Sequence, residues 1–163
     1  MTTTTKPTGR IQLALNVADL TAAVRVYSEM FGTGPSKERP GYANFAIADP
    51  PLKLVLFEDP GATSPLNHLG VELDSSADVG EVAARFAAAG LEHTQSVVDR
   101  CCHAVQDKIW VSVPEVPLGA WEFYTVLDDE PGTSGTDGTD PDGTCCAGDR
   151  VDEAPCCGAG REA

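Results

Sequence analysis

The stretch QLALNV at residues 12–17 returns in kind as HLGVEL at residues 68–73, 56 positions further on. Each opens with a side chain able to ligate a metal, Gln12 in one and His68 in the other, and continues as an apolar-rich run of strand length. Each is followed by a segment that reads as an amphipathic helix, about Leu20–Phe31 and then about Ala77–Ala89. Leu20, Val24, Tyr27 and Phe31 fall at helical spacing in the first, and Val79, Val82 and Phe86 in the second. Asp19 and Ser76 stand where N-caps belong, and Gly32 and Gly90 where helices end. Strand candidates follow: Tyr42–Ala48 and Leu52–Glu58 in the first half, then Thr94–Val98, Cys102–Val113 with a bend around Asp107, and Trp121–Leu127 in the second. Asp49-Pro50-Pro51 and Pro114–Gly119 read as turns or loops.

Both halves therefore read strand, helix, then two or three strands, an α+β pattern. One such sheet leaves an apolar face that needs a partner. Two side by side enclose a cup, and a concavity between repeats is a natural ligand site.

Outward from this body, about residues 10–127 with modules near 10–60 and 65–127, the chain changes character. Residues 1–9 are a Thr-rich leader, expected to be flexible. From Asp128 onward scarcely an apolar side chain larger than alanine appears, so residues 128–163 are expected to be a disordered acidic tail. The formal net charge of the chain is −14, from 11 basic and 25 acidic residues. More than half of that excess lies in the tail, and the balance argues against binding nucleic-acid phosphates. A 42% hydrophobic share supports a core. No apolar run approaches the ~20 residues of a membrane span, and the N-terminus lacks a secretory signal, so a cytoplasmic protein is expected.

The six cysteines come as three adjacent pairs, Cys101–Cys102, Cys145–Cys146 and Cys156–Cys157. Adjacent cysteines close only a small strained ring, and zinc knuckles prefer spaced pairs. In a reducing compartment they would be dithiols suited to a soft, thiophilic ion. Cys101-Cys102-His103 reads either as a grip on a trivalent soft centre or as small residues packing as hydrophobes. The tail pairs read as metalloid scavenging or as low-complexity drift.

Gln12 and His68 hold equivalent places in the two halves, and a pseudo-twofold would bring them together. Glu122 lies in WEFYTVL, where a carboxylate among bulky residues is costly to bury unless paired or metal-bound. An amide oxygen, an imidazole and a carboxylate leave open positions on an octahedral ion, a facial triad with glutamine in place of one histidine. Singly, each has an ordinary explanation: a surface glutamine, a locally satisfied histidine, a glutamate at a sheet rim. His93 reads as an exposed residue at a strand start. No phosphate loop, GxSxG elbow or CxxC is present.

The segments RIQLALNVADL, PGYANFAIADPPLKLVLFE, LNHLGVEL, CCHAVQDKIWV and WEFYTVL resemble the ArsI/CadI group of the vicinal oxygen chelate superfamily over about residues 10–128. The resemblance implies paired βαβββ modules forming a cupped mixed sheet around a metal site. It implies an iron(II)-dependent dioxygenase, a C–As lyase that cleaves the carbon–arsenic bond of trivalent organoarsenicals with dioxygen in arsenic detoxification. The alternative is a non-catalytic cadmium- or arsenic-binding resistance protein of CadI type. Carried over residue by residue, Gln12, His68 and Glu122 fall on the metal site and Cys101 and Cys102 on the substrate site. Many relatives have histidine where Gln12 stands, and an aromatic residue where His103 stands. Arg100 and His103 flank the pair and are expected to help ionise it, since an ordinary thiol has a pKa near ~8.5. Glyoxalases share the fold but require a second carboxylate in the first half, and Leu52–Phe57 offers none; Glu58 falls at its end. The modules could pair within one chain or across a homodimer.

Overall fold

The computed structural model describes residues 9–100, 103–113 and 120–129. Each half is a βαβββ unit. The first comprises β1 (Arg10–Val17), α1 (Leu20–Phe31), β2 (Lys37–Arg39), β3 (Tyr42–Ile47) and β4 (Leu52–Glu58). The second comprises β5 (Leu66–Glu72), α2 (Ser76–Ala89), β6 (His93–Arg100), β7 (Val105–Ser112) and β8 (Ala120–Asp128). All eight strands join one mixed sheet in the order β2-β3-β4-β1-β5-β8-β7-β6, so the two modules pair within a single chain.

The central seam is antiparallel, with Gln12 opposite Gly70, Leu13 opposite Leu69 and Ala14 opposite His68. Exchanging the halves by the 56-residue repeat maps Gln12–Gly70 onto His68–Ala14, the mark of a pseudo-twofold through the seam. Flanking it, β1 runs parallel to β4 and β5 parallel to β8.

Side-chain alternation sorts the two faces. Leu54 and Leu56, with Leu13 and Leu15, pack with Leu20, Val24, Tyr27 and Phe31 of α1. Val79, Val82 and Phe86 of α2 cover Leu73, Ile109, Val111 and Phe123. With both helices on this face, the other face curls into the cup. Its far sides meet at Lys37 of the edge strand β2, whose ammonium donates to the backbone carbonyls of His103 and Asp129.

Both helices begin and end close to the predicted points. Asp19 caps α1 by accepting from the Ala22 N–H, but Ser75, not Ser76, caps α2. Gly32 and Gly90 end them at φ 65° and 69°, a conformation side chains with a Cβ resist. The strands differ more: β6 runs on to Arg100, and β7 starts only at Val105. β2 consists of Lys37, Glu38 and Arg39 and carries no apolar alternation by which a sequence would reveal it. β7 runs unbroken through Asp107; the irregularity lies opposite, in β6, where the register slips between Ser96 and Asp99. Val98 there adopts φ 52°, and its N–H donates to Asp107 Oδ1 at 2.7 Å. Cys102 and Pro114–Gly119 lie outside the described residues.

Candidate metal centre

Three neighbouring strands, β1, β5 and β8, deliver Gln12, His68 and Glu122 to the floor of the cup. Gln12, Gly70 and Glu122 form one row across the sheet, and His68 lies one step along on the same face. Gln12 Nε2 lies 2.7 Å from His68 Nε2 and 3.1 Å from Glu122 Oε2, and the last two atoms are 3.2 Å apart. All three residues are buried, at 4, 5 and 5% exposure. The surface and sheet-rim explanations are thereby removed.

Gly70 makes the convergence sterically feasible. A Cβ on it would sit 2.9 Å from the Glu122 carbonyl oxygen and 3.3 Å from Gln12 Nε2. The glycine of HLGVEL therefore keeps open the space between two of the three side chains, which the strand pattern alone did not reveal.

The donor set suits a cation. The His68 Nε2 and Glu122 Oε2 acceptors face one small volume, and the Gln12 amide NH₂ is the electropositive group between them. Turning that amide would present its oxygen instead. Donor atoms about 3 Å apart are what adjacent ligands at ~2.1 Å from one ion require. Among the described residues no three His, Cys, Asp or Glu side chains cluster, because the third donor here is an amide.

Aromatic rings wall the cup. The His68 ring meets Trp110 edge-on at 5.2 Å between centroids and Phe57 at 6.5 Å. Tyr42 packs edge-on to Phe57 at 5.6 Å and stacks on His103 at 3.9 Å, with the two planes 11° apart. His103 thus fills a stacking position as an aromatic ring would. Its burial, with Lys37 and Arg39 adding repulsion, lowers its pKa from 6.5 to about 4. At neutral pH it is uncharged, so it supplies no cation to ionise a neighbouring thiol, contrary to the expectation from sequence. Cys101, Cys102, Cys145, Cys146, Cys156 and Cys157 all lie outside the described residues.

Tyr124, two residues beyond Glu122 on the same face, is 1% exposed, and its hydroxyl has no hydrogen-bond partner among the described residues. Burial raises its pKa well above the ordinary value, and the carboxylates of Glu72 and Glu122 add to the effect. His93 opens β6 half-buried, its Nδ1 2.8 Å from the Leu91 carbonyl and its ring edge-on to Phe86. An open groove of about 500 Å³ beside the start of α1, between Leu20, Arg39, Gly41 and Glu58, touches none of the three donors.

The profile of the Glyoxalase/Bleomycin resistance protein/Dioxygenase superfamily matches residues 10–144. The cadmium-induced protein CadI of Mycobacterium tuberculosis (strain ATCC 25618 / H37Rv) is 56% identical over 120 residues, 74% of this chain and 78% of that protein. A trivalent organoarsenical cleaving enzyme of Thermomonospora curvata is 50% identical over 138 residues, 84% of this chain and 87% of the enzyme. Among solved structures, methylmalonyl-CoA epimerase from Mycobacterium tuberculosis superposes with a TM-score of 0.54 at 14% identity. That match covers 78% of this chain and 93% of the epimerase, a likeness of fold alone.

Proposed function

The chain belongs to the glyoxalase/bleomycin resistance protein/dioxygenase superfamily, and on that premise we propose that it is an iron(II)-dependent dioxygenase, a C–As lyase of the cytoplasm that cleaves trivalent organoarsenicals. The observation that carries this reading is the convergence of three buried donors, Gln12, His68 and Glu122, within 3.2 Å of one another. All three come from neighbouring strands of one chain. Likeness to the organoarsenical cleaving enzyme supplies the substrate class.

In this reading Gln12, His68 and Glu122 would hold iron(II), which would supply the redox chemistry toward dioxygen that these side chains lack. Cys101 and Cys102 take the two exchangeable positions of a monomethyl arsenic(III) species, leaving its carbon–arsenic bond free. The tether raises the effective concentration of substrate at the centre. Tyr42, Phe57, His103 and Trp110 keep water from the reacting face. The balance is simple: methylarsenite and dioxygen give arsenite and formaldehyde, the arsenic staying trivalent while the carbon is oxidised.

The test uses protein loaded anaerobically with iron(II) and trivalent methylarsenic, then exposed to dioxygen. Arsenite and formaldehyde should appear in equal amounts, and neither should appear without iron(II) or in His68→Ala or Glu122→Ala. Gln12→His should retain turnover. The higher identity to CadI favours a second reading, a cadmium- or arsenic-binding resistance protein without turnover. Tight binding of methylarsenic with no dioxygen-dependent arsenite release would establish it. Turnover should survive removal of residues 130–163, since the donors and the Cys101–Cys102 pair all precede them. The cut belongs after Asp129, whose backbone Lys37 clasps.

A further inference from the structure

A bulge beside the centre turns Asn67 toward the ring of the residue that follows it. β1 and β5 pair Ala14 with His68 and Leu15 with Leu66, so Asn67 has no partner across the ladder. In a regular strand, neighbouring side chains point to opposite faces, and Asn67 would turn away from His68. Bulges re-aim side chains in this manner, often beside active sites. Here Asn67 Oδ1 lies 2.7 Å from His68 Nδ1.

The hydrogen bonds beyond Asn67 have one direction. Asn67 Nδ2 donates to Asn16 Oδ1 at 2.7 Å, and Asn16 Nδ2 donates to the Ser64 carbonyl at 3.0 Å. A carbonyl can only accept, so the Asn16 nitrogen must face Ser64 and its oxygen must face Asn67. The Asn67 nitrogen then faces Asn16, and its oxygen faces the ring. His68 Nδ1 must therefore carry a proton, and in the neutral ring Nε2, on the side of Gln12 and Glu122, keeps its lone pair. The Gln12 amide donating to Nε2 at 2.7 Å requires the same tautomer.

We propose that Asn67 is a positioning residue of the centre: bulged out of the β1–β5 ladder, it holds His68 as the Nδ1–H tautomer with the Nε2 lone pair aimed at the cup, while Asn16 and the Ser64 carbonyl orient Asn67 itself. The consequence for metal affinity rests on the reading of His68 as a ligand; the tautomer does not. Hydrogen bonds to the outer nitrogen of a ligating imidazole typically carry about 10–100-fold in metal affinity.

The chain holds three histidines, so its imidazole spectrum is simple. The full-length protein, ¹⁵N-labelled and freed of metal with a chelator, is examined by long-range ¹H–¹⁵N NMR at about pH 8, where an ordinary imidazole is neutral. His68→Gln assigns the signal. The parent should show His68 as Nδ1–H, Asn67→Leu should shift it toward Nε2–H, and Asn67→Asp, whose carboxylate accepts the same proton, should restore the parent form. Anaerobic iron(II) titration should then weaken by about 10–100-fold in Asn67→Leu and recover in Asn67→Asp. If Asn67→Leu fails to fold, Asn16→Leu breaks the same relay one bond further out and should shift the tautomer in the same direction. A His68 that stays Nδ1–H in either leucine variant, with iron(II) affinity unchanged, overturns the proposal. A tautomer that shifts as expected in a protein that binds no iron(II) upholds the relay and overturns instead the reading of the triad.

Discussion

Val55 holds in the first half of the sheet the place that Glu122 holds in the second. Ala14 pairs with Val55 across β1 and β4, and Gly70, its counterpart by the repeat, pairs with Glu122 across β5 and β8. Four positions thus surround the pseudo-twofold, and three of them are polar. Val55 is 4% exposed and packs with Ala14, Tyr42 and Phe57. The missing second carboxylate of a glyoxalase-type site is therefore a packed apolar side chain, and Glu58 is engaged elsewhere, accepting from the Leu20 N–H at 3.0 Å.

Val55→Glu should reveal that symmetry. A fourth donor buried without a counter-charge should destabilise the metal-free protein by about 2 kcal/mol or more. A divalent ion binding the folded state should offset much of that loss. Melting temperatures in chelator and in excess manganese(II) measure it: the gap between variant and parent should narrow with metal. An equal gap in both would show that position 55 does not face the centre.

Gly70→Ala probes the space between the donors. The added methyl meets backbone at 2.9 Å, which cannot swing aside as a side-chain end can. The strands must part or Gln12 must turn, at a cost of about 1–3 kcal/mol. Iron(II) affinity should fall at least about tenfold with it, since donor spacing is what the methyl disturbs. Parent-like affinity would mean that β5 and β8 can part without moving Gln12 or Glu122.

Much of this was legible in the chain itself. The repeat of Gln12 and His68, the helical spacing of Leu20, Val24, Tyr27 and Phe31, and the capping glycines are local signals, and local signals survive in one dimension. Glu122 could be singled out because a carboxylate between Trp121 and Phe123 conflicts with its neighbours. Gly70 and Asn67 could not, because their meaning lies in what faces them across the seam. The bend expected around Asp107 falls instead in β6 for the same reason: Asp107 is the polar residue that shows in sequence, but it acts on the backbone of Val98. Lys37-Glu38-Arg39 pairs as a strand through its backbone alone, which no side-chain pattern records.

His103 should make the fold sensitive to mild acid. Its pKa is about 4 in the folded protein against 6.5 unfolded, so between these values the unfolded chain binds more protons. Stability contributed by the neutral ring is present above pH 6.5 and is lost as the pH falls from 6.5 toward 4. His103→Phe keeps a ring to stack on Tyr42 and cannot titrate. Discounted for partial exposure to solvent, the parent should lose on the order of 1 kcal/mol more than the variant across that window. Urea unfolding at both ends of the window checks it, and parallel pH profiles would show that the ring is not held neutral.

The bulge in β6 offers two substitutions that should move stability in opposite directions. Val98 sits at φ 52°, where a β-branched side chain is strained. It is 51% exposed, so its side chain buries little in return. Val98→Gly should relieve the strain and stabilise the fold by about 0.5–1 kcal/mol, the gain being reduced by the greater freedom of glycine in the unfolded chain. Asp107 is 8% exposed and accepts the Val98 N–H at 2.7 Å. Asp107→Ala strands that donor and should cost about 1–3 kcal/mol. The two effects share one backbone group, so the double variant should depart from the sum of the single ones. Denaturant unfolding of all four proteins completes the cycle. Strict additivity would mean that Asp107 stabilises β6 through some contact other than the Val98 amide.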